Sequence, residues 1–213
     1  MGELVDGWQA YSRFLIGLIA ILDPFIAVPI FLAATAGRSE HHRTRTVKVV
    51  TLTVFFVLIS ASLAGELLLT FMGGTLASFR VGGGLVLLLM ALAMLNARTG
   101  DVRQTAAEAQ EIEHGGGAGV VPLAVPLLAG PGSISTVIVA SHGGGWVHHV
   151  IIAVCIALAC AALWLALKLA GPVGERLGVT GLNIATRLLG LLLAAFAIEN
   201  MATGLKALFP GLG

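Results

Sequence analysis

The chain has 213 residues, of which 57% are hydrophobic and 11% charged, with a net charge of +1 and a mean hydropathy of +0.98. Soluble domains carry about 25% charged residues, so the charge here is too sparse to cover a globule in water, which weighs against a soluble enzyme or a disordered segment. A near-neutral balance also offers no basic face to nucleic acid, and the composition reads as a compact integral membrane protein.

Crossing a bilayer takes about 20 apolar residues per helix, and charge-free stretches predict spans at residues 13–35, 47–70, 79–97, 119–141, 149–170 and 185–206. A transmembrane β-barrel would alternate with period two. The run Leu85-Val86-Leu87-Leu88-Leu89-Met90 does not, so the spans read as helices. Ahead of them, Met1-Gly2-Glu3-Leu4-Val5-Asp6 is acidic where a secretory leader would be basic, and no cleaved signal peptide is expected.

Span one carries Asp23-Pro24 at its centre and Pro29 one turn later. Proline removes a backbone donor and clashes with the carbonyl four residues earlier. A broken helix persists at membrane depth only when buried in protein or lining a cavity. Asp23 is the ionisable group nearest the midplane and the first candidate for exchanging a proton or sodium ion; its bland alternative is a carboxylate that only bonds the broken backbone. In span two, Glu66 lies about six residues past the centre, roughly 9 Å from the midplane at helical rise. Pairing with Arg80 and gating are equally good readings of it. Arg80 and Arg187 open spans three and six, where snorkelling is the default. Gly82-Gly83-Gly84 at the head of span three reads as a close helix contact.

Residues 98–118 form the one polar stretch of any length and read as a linker. Beyond it, span four contains Gly130-Pro131-Gly132 at its centre, with Pro122 and Pro126 upstream and Ser133, Ser135 and Thr136 downstream. A helix restarting after such a break exposes unpaired N–H groups and a positive dipole end. Those suit a carboxylate, while hydroxyls donate or accept beside it. A nucleophilic Ser133 would have no midplane histidine as base, which argues against an intramembrane serine protease and against an enzyme. In span five, Cys155 and Cys160 are five apart and read as small packing residues; no metal site or cofactor is expected. Glu199, beside Asn200, lies within span six, as a cavity group or a helix-to-helix bond.

Offset by 107 residues, the chain places Asp23-Pro24 on Gly130-Pro131, His41-His42 on His148-His149, Gly74 on Gly181, Arg80 on Arg187 and Gly83 on Gly190. This predicts two three-helix repeats, residues 1–97 and 119–213, joined by the linker. An odd number of crossings inverts the second copy, and inverted repeats with broken helices are typical of secondary transporters that bind near the midplane. The expected fold is thus an all-α integral membrane protein with six transmembrane helices, the first and fourth broken by proline. Nine of the twelve Lys and Arg residues flank the links after spans one, three and five, leaving Arg13, Arg80 and Lys206 opposite. By the positive-inside rule both termini face away from the cytoplasm.

Several segments resemble the MarC family of bacterial and archaeal inner-membrane proteins, also known as UPF0056. They are Asp23-Pro24-Phe25-Ile26-Ala27-Val28-Pro29-Ile30-Phe31, Gly65-Glu66-Leu67-Leu68-Leu69, Phe79-Arg80-Val81-Gly82-Gly83-Gly84, the stretch from Pro122 to Gly132, and Arg187-Leu188-Leu189-Gly190. The family's first motif has glycine two places after the proline, where this chain has Ile26. The resemblance implies six spans and an inner-membrane location, and some relatives are described as small neutral amino acid transporters coupled to protons or sodium. The expected function is transport of small neutral amino acids or similar polar solutes at a site formed by Asp23, Pro24, Pro29, Gly130, Pro131, Gly132, Ser133, Ser135 and Thr136. Ion coupling or gating would fall to Asp23, Glu66, Arg80, Arg187 and Glu199. The alternatives are an exporter of amphipathic compounds or antibiotics and a non-transport assembly or regulatory protein. Partners would be the solute, H+ or Na+ and membrane lipid; oligomeric state does not follow from the sequence.

Overall fold

The structure is a computed structural model that describes residues 2–35, 37–71, 73–96, 128–143 and 145–212. The polar linker 98–118, together with Pro122, Pro126 and the first half of span four, lies outside the described residues. Every regular element described is helical: α1 (Gly2–Leu22), α2 (Pro24–Ala34), α3 (Glu40–Phe71), α4 (Leu76–Leu95), α5 (Pro131–Ser141), α6 (Trp146–Lys168), α7 (Ala170–Leu208) and a 3-10 turn at Pro210–Leu212.

Among the described residues, five stretches are long and apolar enough to cross a membrane: Trp8–Ala34, Glu40–Gly65, Leu76–Leu95, Trp146–Lys168 and Ala170–Leu208. The 11-residue Pro131–Ser141 is the second half of the expected fourth span. One expectation is corrected. The region before residue 185, expected as a link, is helical from Ala170 onward, and a single residue, Leu169, separates α6 from α7. Glu175 and Arg176 interrupt the apolar run without breaking the helix, and Pro172 sits in the first turn, where proline is tolerated. The dislocation falls instead at Gly178, with φ 60° and ψ −179°, a conformation that side-chain-bearing residues avoid.

The element order recurs. Each half has an 11-residue helix starting at a proline, then a glycine with positive φ (Gly37, Gly143) and a long helix; a second such glycine precedes α4 (Gly73) in the first half and falls within α7 (Gly178) in the second. Packing between the halves is crossed. Helix α2 packs on α6 and α7 of the second half, and α5 packs on α3 and α4 of the first.

Helices α4 and α7 form the most extensive pair. Small residues recur every seven positions on both, at Ala77, Gly84 and Ala91 and at Gly190, Ala197 and Gly204. Seven residues are close to two helical turns, so each trio lines one face. The helices run antiparallel: a β-carbon on Gly190 would lie 3.3 Å from the Ala91 carbonyl oxygen, one on Gly84 3.0 Å from that of Ala197, and one on Gly204 2.7 Å from that of Ala77. Without a hydrophobic drive between helices in lipid, such close approach is a principal source of association.

The main core joins α1, α2, α3 and α6 through Leu18, Val28, Val54, Leu58, Ile156 and Leu163, and both cysteines are packed in it as expected. Large side chains such as Phe56, Leu67, Phe71 and Leu188 remain more than 60% exposed. That is costly in water and ordinary for a surface solvated by acyl chains. Trp8 and Trp146 are exposed at one end of the bundle and Trp164 lies near the other, as aromatic rings sit at the two interfaces of a membrane protein.

Candidate functional site

The first break is confined to one residue. Asp23 adopts φ 43°, ψ 73°, its N–H donates to Ile19 O at 3.0 Å and its carbonyl accepts from Ala27 N at 3.2 Å. Proline at the first helical position costs nothing in hydrogen bonds, since that N–H has no intrahelical partner. Fully buried, Asp23 accepts from Ile26 N at 3.3 Å through Oδ1 and so caps α2. Bonding of the broken backbone is therefore one role it performs. Pro24 is buried beside it, whereas Pro29, inside α2, is exposed.

At the second break the polar groups act in the opposite sense. Gly130 is extended and α5 has no side-chain cap. The buried Ser133 hydroxyl instead donates to the carbonyls of Gly130 (2.9 Å) and Leu128 (3.3 Å), which lie before the break. Ser135 and Thr136 donate to Gly132 O at 3.0 and 2.8 Å. Each hydroxyl thus spends its proton on the backbone and keeps lone pairs for another donor. At Gly132 α4 also comes close: an added β-carbon would lie 2.8 Å from the Met90 sulfur. Pro131 itself is exposed.

Beside α5, a narrow cleft brings Arg80 and Gly83 of α4 to Ser135 and Thr136 and to Asn200 of α7. A β-carbon on Gly83 would lie 2.7 Å from Ser135 Oγ, so the glycine is what admits the hydroxyl. The cleft adjoins a cavity of about 450 Å³ that shares Arg80, Thr136 and Asn200 with it and adds Arg13, His148, Glu199 and Thr203. Ligand sites typically occupy 300–1,000 Å³. The half-buried Arg80 holds its Nε away from solvent with no hydrogen-bond partner among the described residues. A buried guanidinium donor without a partner is costly, and an anion there would satisfy it.

Glu199 is 64% exposed and pairs with Arg13 across 3.3 Å, so it stands at the cavity mouth rather than buried within span six. An exposed pair of this kind contributes little to stability. Arg187 is exposed, near the middle of α7. The Glu66 side chain lies outside the described residues, so its pairing with Arg80 does too.

The structure therefore brings Arg80, Thr136 and Glu199 to one cavity, with Ser135 in the adjoining cleft, and Asp23 lines neither of the two. Sequence reasoning missed Arg13 and the Tyr11–His148 staple. The Tyr11 hydroxyl is 2.8 Å from His148 Nδ1, and His148 Nε2 is 2.7 Å from Ala140 O. A carbonyl only accepts, so Nε2 donates to it. These partners are 137 residues apart, and no local pattern announces them. Among the described residues, no three His, Cys, Asp or Glu side chains gather as a metal site would require.

Residues 8–209 match the family described as "MarC family integral membrane protein". The chain is 34% identical over 208 residues to the UPF0056 membrane protein YhcE of Escherichia coli, covering 96% of both chains. It is 33% identical over 197 residues to the UPF0056 membrane protein YvbG of Bacillus subtilis, covering 92% of this chain and 93% of that one. A UPF0056 membrane protein of the archaeon Methanocaldococcus jannaschii is 33% identical over 192 residues, with 89% and 92% covered. No solved structure matches significantly. The chain belongs to the MarC family of multi-pass integral membrane proteins.

Proposed function

We propose that the protein is a secondary transporter, not an enzyme, moving small neutral amino acids or similar small polar solutes across the inner membrane. The observation that carries this reading is the Arg80 donor, held without a described partner where the cleft beside Ser135 and Thr136 meets the large cavity. A solute carboxylate would satisfy that guanidinium. Its ammonium group would find oxygens on Thr136, Asn200 and, at the mouth, Glu199. A cavity offering both signs suits a zwitterion better than a net ion.

The repeated element order and the crossed packing of α2 and α5 support an inverted repeat about an axis in the membrane plane. Proline-started half-helices in corresponding positions are the usual mark of a transporter's midplane site. Asp23, buried at the first of them, is the group for proton or sodium coupling. The phenyl rings of Phe14 and Phe196 in the same cavity favour a second reading, export of amphipathic compounds.

Uptake of labelled glycine, alanine and serine into proteoliposomes, with and without a proton or sodium gradient, tests the proposal. Gradient-driven accumulation is expected, with kcat/KM lowered about tenfold or more in Arg80→Gln through loss of a charge-assisted hydrogen bond. Asp23→Asn should abolish accumulation and leave counterflow exchange. If folded protein takes up none of the three, the amino acid reading fails; competition by amphipathic cations would then favour the second.

A further inference from the structure

At the end of the bundle opposite the solute cavity, a second cavity of about 460 Å³ opens between the end of α2, the start of α3 and the α6–α7 junction. Its charged lining is Glu40, Arg43, Lys48 and Lys168. Glu40 pairs with Arg43 across 3.4 Å, and its side chain is 89% exposed. Lys48 and Lys168 form no ion pair among the described residues, so two positive charges in this cavity are unbalanced. Lys168 lies over the Trp164 ring, 4.8 Å from its centroid. This contact holds the ammonium group at the wall of the cavity, because a ring face attracts a cation. The rest of the wall is apolar, with Phe31, Val47 and Leu167, and continues into the membrane-crossing parts of α2, α3 and α6. Thr44 adds a hydroxyl.

Cations at the rim above an apolar wall, marked by a tryptophan, match a lipid whose phosphate sits at the interface with its chains against the helices. We propose that this cavity binds the phosphate headgroup of an anionic phospholipid. The shared chemistry is a phosphate oxyanion held by Lys48, Lys168 and Arg43; the apolar wall selects the lipid over free phosphate.

The full-length protein, purified in a neutral detergent, is titrated with phosphatidylglycerol, phosphatidylcholine or inorganic phosphate while thermal stability and bound lipid by native mass spectrometry are recorded. Phosphatidylglycerol should raise the melting temperature and be retained as discrete adducts, and phosphatidylcholine should do neither. Lys48→Gln with Lys168→Gln should weaken phosphatidylglycerol binding about tenfold or more, whereas Arg176→Gln, an exposed cation on α7 outside the lining, should leave it unchanged. If the double variant does not fold, Lys48→Gln alone should still weaken binding. Equal binding of phosphatidylcholine, or full phosphatidylglycerol binding by the lysine variants, overturns the site. Equal stabilisation by millimolar inorganic phosphate overturns the lipid assignment.

Discussion

Asp23 sits in a left-handed conformation that aspartate and asparagine tolerate far better than branched residues do. The same residue caps α2, so backbone and side-chain demands coincide on a short polar side chain. Asp23→Asn retains both properties and should melt close to the parent in detergent. Asp23→Val loses the cap and strains the backbone, together about 2–4 kcal/mol, and should melt clearly lower. Equal melting of the two variants would show that the conformation is not a constraint. This separates the residue's structural part from any ionic one, because only the asparagine variant isolates the charge. Asp23 was legible in the sequence because a charge beside a midplane proline is rare in so apolar a chain. The surroundings of Arg80 were not: they come from α4, α5 and α7, and nothing local records which distant side chains share a cavity. Gly83 illustrates the limit. Its place in a glycine run predicted a close contact, yet that its neighbour is Ser135 emerges only from the packing.

Helices here are specified by two kinds of signal with different reach. Apolar length identified five stretches that the described residues confirm as long apolar helices, and the prolines mark the starts of α2 and α5. Apolar length reports where a helix lies in the membrane, not where it ends, which is why the helical run that carries the span starts ahead of the expected 185, just after the dislocation at Gly178. Pairing is set by small residues. A methyl group on Gly204 would lie 2.7 Å from a backbone oxygen of α4 that cannot swing aside. Gly204→Ala should therefore destabilise the protein by about 1–3 kcal/mol, the usual cost of overpacking. Gly82→Ala meets nothing within 4 Å and should be neutral or slightly stabilising, since alanine is the better helix former. Melting of both variants in one detergent checks this; a harmless Gly204→Ala would mean that α4 and α7 pack less closely than described.

For the molecule as a whole, Ala10 and Thr203 line the same cavity and Arg13 pairs with Glu199, so both ends of the described chain lie at one end of the bundle. Among the described residues, Arg38, Arg43, Arg45, Lys48, Lys168 and Arg176 lie toward the other end, which the positive-inside rule would make the cytoplasmic one. Cysteines introduced at Gly143 and at Lys206, in a background lacking Cys155 and Cys160, should react with an impermeant maleimide from outside the cell, and one at Gly37 only after permeabilisation. The reverse pattern would invert the assignment, and labelling of Gly143 and Lys206 from different sides would break the six-crossing arrangement. The landmarks at an offset of 107 include the two prolines that start α2 and α5, although overall identity between the halves is slight. What those landmarks could not convey is that α2 and α5 pack across the halves, because a repeat in sequence fixes like elements and says nothing about partners.

Crossed packing has a consequence for how the protein can be made. Residues 1–97 alone would present α3 and α4 with no α5 to cover them, and the second half would lack α2 in the same way. Each piece alone would lack the packing that the other supplies, so the first half is expected to complete its packing only once the second is made. The covalent join between them matters less than their simultaneous presence. Two fragments severed within the polar linker and produced together in one membrane would retain every interhelical contact described.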